Sequence, residues 1–451
     1  MKRTGMASAL LLGLAAGACE DGLLDVNPVD EISDEIAIVD ETSARAALIG
    51  AYAGLALGEY YSTEFILWPE TLSDNVEHTG TFETFADADL LFLRADNFAV
   101  QGMWEDIYDA INRANLLIQK VPAIEGFDPE VADEILGQAY GLRALHYFNL
   151  VRGWGGVPLV TEPPADLDEA AQVSRSSAAE IYALIAADLA AAETHLTAAG
   201  IDNTDRNFIT PGFVDALQAK VALYQEDWAG AVAAGMELET SGDYDLAGSF
   251  GALFDADGAP TEEDIFRVIF TAVEFNNLGY YYQYDGRFEV GATEEIYNLF
   301  AANDERFDVS FDGTRSDGIQ VVKFPTTIGG EHPHVIRYAE VLLIIAEGLA
   351  QQGGVTNLVD AVAYLNQVRT RAGLAGYVWG VDLTTQQQVL DAINLERRLE
   401  LAFEGDRWFN LIRTGRAAEA LGSNFDAHEA LWPIPVSELD VAPNLAQNPG
   451  Y

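Results

Sequence analysis

Apolar side chains recur at intervals of three and four along most of this chain, and that spacing draws helices. Over residues 101–121, Trp104, Ile107, Tyr108, Ile111, Ala114, Asn115 and Ile118 share one helical face, and Pro122 closes the run. Pro129 opens the next helix, whose apolar positions include Ile135, Ala139, Leu142, Leu145 and Phe148. It stops at Gly153, Gly155 and Gly156, where glycine relieves the left-handed strain of a helix C-terminus. The same periodicity predicts helices over 42–57, 177–196, 211–224, 228–239, 335–352, 358–372, 386–403 and 406–414. Short joints pair them: Gln225, Glu226 and Asp227 link one pair, and residues 353–357 link another.

Hairpins of this length resemble tetratricopeptide-type repeats, which stack into a curved solenoid. Ala216, Ala219, Tyr224, Trp228 and Ala231 fit that repeat best, other pairs fit in outline, and a plain helical array stays open as the alternative. Two stretches break the helical pattern. Residues 60–98 are rich in aromatics, acids, Thr and Asn, and residues 241–334 hold Gly, Asp and a tyrosine cluster. Within the second, 265–271 and 320–324 alternate as strands do. Loops this long inside a compact fold are usually functional. The last stretch, 431–451, is rich in Pro and Asn and is expected to lie extended over the surface of the helices. The expected fold is therefore mainly α: a curved array of tetratricopeptide-like helical hairpins with long irregular loop insertions and minor β.

Charge narrows the partners. The chain carries 72 Asp and Glu against 24 Lys and Arg, a formal charge of -48. Such a surface repels phosphate backbones, which argues against nucleic-acid partners, and it repels anionic headgroups too. The N-terminus points to export: Lys2 and Arg3 precede an apolar run from Met6 to Ala16, too short for a span of roughly 30 Å. Cys19, the one cysteine in 451 residues, follows Gly17 and Ala18. Small residues before a lone cysteine resemble a bacterial lipoprotein cleavage box, although Ala16 stands where that box usually has Leu. Residues 1–18 then form the signal peptide, and lipid on Cys19 anchors the mature chain, each buried CH₂ contributing roughly 0.8 kcal/mol. Glu20, Asp21 and Asp25 resemble the acidic stretch that directs some lipoproteins to the outer face of the outer membrane.

The chemistry available is that of binding. No Gly-x-Ser-x-Gly, Gly-x-x-x-x-Gly-Lys or His-Glu-x-x-His occurs. His332 and His334 flank Pro333 and read as loop histidines rather than metal ligands, so no metal or cofactor is expected. Tyr280, Tyr281 and Tyr282 give the clearest ligand signal, with Arg287 close by in sequence, because aromatic faces stack on sugar rings while polar side chains fix the hydroxyls. Trp68, Asp74, Asn75, Phe82 and Phe85 form a second candidate set in the other irregular region. Glu396, Glu400 and Glu404 fall at i, i+4 and i+8 and so form one stripe of like charge, destabilising by a few tenths of a kcal/mol per pair. Arg397 and Arg407, or arginines from neighbouring helices, are expected to offset it in a structural ion network.

Together these pieces resemble the SusD/RagB family. The run 143–159 (RALHYFNLVRGWGGVPL) is similar to that family's central signature, and 396–411 (ERRLELAFEGDRWFNL) to another of its motifs. The endings 431–435 (LWPIP) and 444–451 (NLAQNPGY) resemble its closing motif, and 104–115, 337–341 and 366–369 also look like family positions. The resemblance implies that 19–451 is one SusD-like domain, with ligand-binding loop regions at 60–98 and 241–334. It also implies a surface lipoprotein, not an enzyme, on the outer membrane of a Gram-negative bacterium. Such a protein captures a nutrient, commonly a glycan, and acts as a lid for a SusC-like TonB-dependent transporter. The matched motifs belong to the scaffold, so the site residues rest on loop location and aromatic chemistry alone. Two rival readings predict other behaviour: a lipid-anchored glycosidase releases product, and a helical-repeat adaptor binds only proteins.

Overall fold

The computed structural model describes residues 38–162, 171–255, 258–270, 275–315 and 318–451. The signal peptide and Cys19 lie outside them. Among the described residues, nine helices of thirteen residues or more carry the architecture: α1 Glu41–Ala53, α2 Phe98–Lys120, α3 Pro129–Trp154, α4 Ala178–Ala198, α5 Pro211–Tyr224, α6 Trp228–Ser241, α7 Tyr338–Gln352, α8 Val355–Arg371 and α9 Gln386–Glu400. Local sequence sets their starts. Asp40, Ser177 and Thr385 each close a reciprocal capping box, and Asp128 and Thr210 cap helices that begin with Pro. Successive helices pack on one another from α1 to α7, and α8 and α9 both rest on α7.

Two helices are buried nearly all round. In α7 every residue from Tyr338 to Gly348 is buried, and α3 is closed over most of its length from Ile135 to Trp154. They are the inner layer, and the amphipathic helices cover them. The α6–α7 contact is reciprocal. A Cβ on Gly235 would sit 2.6 Å from Ile345, and one on Gly348 would sit 2.7 Å from Val232. Each glycine is the hole that receives the other helix's branched side chain.

The irregular stretches are more ordered than their patterning predicts. They hold short helices, Glu64–Thr71, Glu83–Asp89, Leu278–Tyr282, Glu294–Leu299 and Phe307–Ser310, with too few turns each to register a period. Among the described residues there are three two-stranded antiparallel sheets, two joining distant parts of the chain and one a local hairpin. Val76–His78 pairs with Val290–Ala292, Asp264–Arg267 with His334–Arg337, and Phe311–Arg315 with Gly318–Val321. Thus residues 335–337, expected at the start of a helix, belong to the strand His334–Arg337, and α7 begins at Tyr338.

Two other expectations change. The helix expected over 386–403 stops at Glu400, because Phe403 and Gly405 take left-handed φ values of 68° and 80°. That turn lets the Gly405 N–H donate to Glu70 at 2.9 Å. The C-terminal stretch is anchored in the core at several points, while positions such as Val436, Asp440 and Val441 stay exposed. Trp432 and Ile434 are fully buried, and the Trp432 ring meets Trp154 edge-on at 4.9 Å over Gly153. Asn448 donates to the carbonyls of Trp154 and Trp432, and the Trp154 indole donates to Pro433. The tail is therefore a plug. Trp432→Ala is expected to cost about 3–5 kcal/mol of unfolding free energy, read by urea denaturation; a loss below about 1 kcal/mol would show that the plug is dispensable.

Candidate ligand-binding site

The strand pair Val76–His78 and Val290–Ala292 brings the two loop regions together. Beyond its end, the buried Glu289 carboxylate organises the surface. It accepts from the Thr81 and Phe82 amides at 2.6 and 2.8 Å and from Arg287 Nε at 2.5 Å. Burial pushes its pKa up, but the Phe82 and Thr81 amides and Arg287 outweigh that and hold the carboxyl below its ordinary range. Gly80 is required here, since a Cβ would lie 2.1 Å from a Glu289 oxygen and 2.7 Å from its Cα.

The aromatic groups gather on this brace. The Arg287 guanidinium lies 3.6 Å above the centre of the Phe82 ring. Tyr281 sits edge-on to Phe82 at 5.8 Å and to Phe85 at 5.6 Å, and Tyr280 is 5.5 Å from Tyr281. The Arg287 amide donates to the Tyr280 carbonyl at 2.7 Å, folding the tyrosine run back over the turn. Tyr280 is 39 % exposed and the Arg287 side chain 40 %, with Phe82 and Tyr281 half-buried between them. Four side chains from both loop regions thus present one partly open platform.

Not every expected contact belongs to it. Trp68, Asn75 and Tyr282 are fully enclosed and offer no face to a ligand, and Phe85 is 1 % exposed and supports the platform from behind. Trp68 lies on a helix buried at all eight positions. Tyr282 stacks on Phe324 and meets Phe403 edge-on. Asp74 is held by Arg407 through two bonds of 2.7 Å and by Arg398 at 3.1 Å, while Asn75 bridges Glu70 and Arg398. Both are scaffold. Sequence reasoning passed over Glu64 and Glu289, since single acids carry no signal in so acidic a chain. Glu64 is buried near Tyr281, and burial, then the Glu59 charge, pushes its carboxyl up to about 8, so it stays protonated at neutral pH.

The glutamates are surrounded by cations, from the neighbouring helix α8 and from Arg306, Lys323 and Arg337, and not by Arg397 and Arg407. Glu396 meets Arg306 at 2.8 Å and Arg369 at 3.1 Å. Glu400 pairs with Arg306 at 3.0 Å, Arg337 at 2.5 Å and Arg371. Glu404 pairs with Arg337 at 2.8 Å and Lys323 at 2.7 Å. Arg397 instead turns to Glu340 and Asp406, and Arg407 to Asp74, because on their helices both side chains leave the stripe's face. Arg337 also holds Glu263 at 2.7 Å. Burial raises the Glu404 pKa, but Arg337 and Lys323 outweigh it and hold the carboxyl near about 2. Among the described residues no cluster of His, Cys, Asp and Glu is arranged to hold a metal. His334 is bound to Asp264 at 2.7 Å, and His332 Nδ1 accepts from the Phe270 amide.

The comparisons with known proteins agree with this architecture. The model described as "SusD family" matches residues 274–451, and the one described as "Starch-binding associating with outer membrane" matches residues 27–204. A SusD-like protein of Formosa agariphila is 28 % identical over 100 % of this chain and 99 % of its own length. The starch-binding protein SusD of Bacteroides thetaiotaomicron is 31 % identical over 32 % of this chain and 25 % of its own. A solved laminarin-binding SusD-like protein superposes with a TM-score of 0.79 at 26 % identity, covering 92 % of this chain and 100 % of that one. The fold is that of the helical-repeat binding proteins, and the chain belongs to the SusD family.

Arg337→Met is expected to cost about 3–5 kcal/mol by urea denaturation, because it strands Glu263, Glu400 and Glu404 without a shared partner; a near-neutral result would mean that the remaining cations suffice. The network also sets the acid limb. Glu404 titrates near about 2 in the folded chain against an ordinary 4.5. Its stabilisation is present above the ordinary value and is lost as pH falls through the folded one. Stability is expected to drop between about pH 4.5 and 2, and the drop should be shallower in Glu404→Gln.

Proposed function

We propose that this chain captures an extracellular glycan on the platform of Phe82, Tyr280, Tyr281 and Arg287 and delivers it, as a lid, to a SusC-like TonB-dependent transporter. Lipid on Cys19 holds it at the outer face of the outer membrane of a Gram-negative bacterium. The observation that carries this reading is the partly open aromatic cluster fixed by Glu289 where the two loop regions meet. Ring faces take the C–H faces of a sugar, and the tyrosine hydroxyls and the Arg287 edge serve its hydroxyl groups. The starch-binding description of one matching family model and the laminarin named for a structural relative support a glycan as ligand.

The chain acts by positioning. Glu289 sets the turn before any ligand arrives, so little ordering entropy opposes binding. Affinity at one small platform is modest, since sugar hydroxyls must first shed water, and tethering beside a transporter offsets that through effective concentration.

Tyr281→Ala is expected to weaken retention of a bound glycan by about tenfold, or about 1.4 kcal/mol, with helical circular dichroism unchanged. Unaltered retention in that variant would move the binding site elsewhere. The lid role is tested by pull-down of the tagged full-length lipoprotein from native outer membranes. A stoichiometric partner with plug and barrel is expected, and recovery of the protein alone under conditions that preserve other complexes would defeat it.

A further inference from the structure

The charges around the platform go further than its shape. Resting on the glycan reading above, we infer that the ligand is an uncharged polysaccharide and that the platform rejects polymers bearing carboxylate or sulfate groups. Its one described cation, Arg287, is already paired with a carboxylate. Its Nε is bound to Glu289, whose side chain is 1 % exposed, and its flat face is laid on Phe82. It works as an extension of the aromatic surface with its charge cancelled from beneath. The next cation along, Arg94, stands among three carboxylates, Glu83 at 3.2 Å, Asp87 at 3.3 Å and Asp96 at 3.3 Å.

The remaining described lysine and arginine side chains of the two loop regions are likewise engaged away from the platform. Lys323 and Arg306 belong to the buried ion network, and Arg267 donates to Asn207 and the Gly258 carbonyl. Acids, by contrast, reach the surface at the platform's edges: Glu83 directly follows Phe82, and exposed Asp285 lies in the turn between Tyr280 and Arg287. Counted locally, Arg287 and Arg94 face Glu289, Glu83, Asp87, Asp96 and Asp285. A polyanion would meet this local excess of negative charge inside a chain of net -48, and the guanidinium edge it could reach belongs to an arginine whose charge is already offset by Glu289. A neutral chain of sugars meets only ring faces and hydrogen-bonding groups, to which that field is nearly indifferent.

The test uses the full-length lipoprotein in non-ionic micelles with a chelator present, so that no divalent cation bridges the charges. Binding is measured by titration calorimetry against neutral polymers (laminarin, starch, xylan) and anionic ones (alginate, polygalacturonate, carrageenan). Each is run at about 20 mM and about 300 mM NaCl, which spans long and short screening lengths. At least one neutral polymer is expected to bind, with a Kd that changes less than about twofold between the two salts, while every anionic polymer binds at least about a hundredfold more weakly. An anionic polymer bound as tightly as any neutral one, and released by salt, would overturn the inference and leave the glycan reading standing. If no polymer of either kind binds, the glycan reading itself fails, and this inference with it.

Discussion

Arg337, 1 % exposed, joins three carboxylates that come from different parts of the chain, and the remaining architecture hangs from that junction. Glu263 lies just before the strand Asp264–Arg267, Glu400 at the end of α9, and Glu404 in the left-handed turn that follows. Arg306 and Lys323 then draw in two further segments of the loop region 241–334. Burying so much charge is costly unless each group has its partners, so a displaced loop would leave desolvated ions behind. The network therefore contributes less to net stability than to uniqueness: it allows one docking of the insertion against α7 and α9.

From that junction order passes outward to the platform. Glu70 accepts from Gly405 and Asn75, Arg398 reaches Asn75 and Asp74, and Arg407 holds Asp74. These bonds fix the chain just ahead of the strand Val76–His78. That strand pairs with Val290–Ala292, and Glu289 beside it pins the Phe82 turn and Arg287. The platform is thus built on polar contacts continuous with the core, though it sits on loops. Pre-organisation of this kind lets a small aromatic surface retain a flexible ligand.

The helical array supplies the frame and a surface of its own. Interior α3 and α7 set its thickness, and the C-terminal plug of Trp432 and Asn448 ties the end of the chain to the end of α3. None of the groups described on the nine long helices converges on the platform. The long-helix scaffold and the aromatic platform are separate in sequence.

Much of the scaffold was legible in the chain's own pattern. Periodicities in α2 and α3, the proline and glycine punctuation and the Ser, Thr and Asp caps are local, so a single sequence reveals them. The ionic role of Glu396, Glu400 and Glu404 was legible in their i, i+4 spacing, because like charges so close together demand partners, although the helix ends at Glu400 and Glu404 lies in the turn beyond. Which cations answered was a matter of tertiary structure: Arg369 and Arg371 come from the neighbouring helix α8, and Arg306, Arg337 and Lys323 lie 63 or more residues away from the glutamates they meet, with nothing local to mark them. The same holds for the platform. Aromatic runs at 280–282 and around 82–85 were visible, but whether each ring faces solvent or core depends on strand pairing across some two hundred residues. In the folded chain Trp68 and Tyr282 are buried, Tyr280 is exposed, and Tyr281 and Phe82 are half-buried. Sequence determined the helices, the caps and the kinds of chemistry present, since these depend on neighbours in the chain; the folded structure decided which side chains meet, since burial and charge pairing depend on neighbours in space.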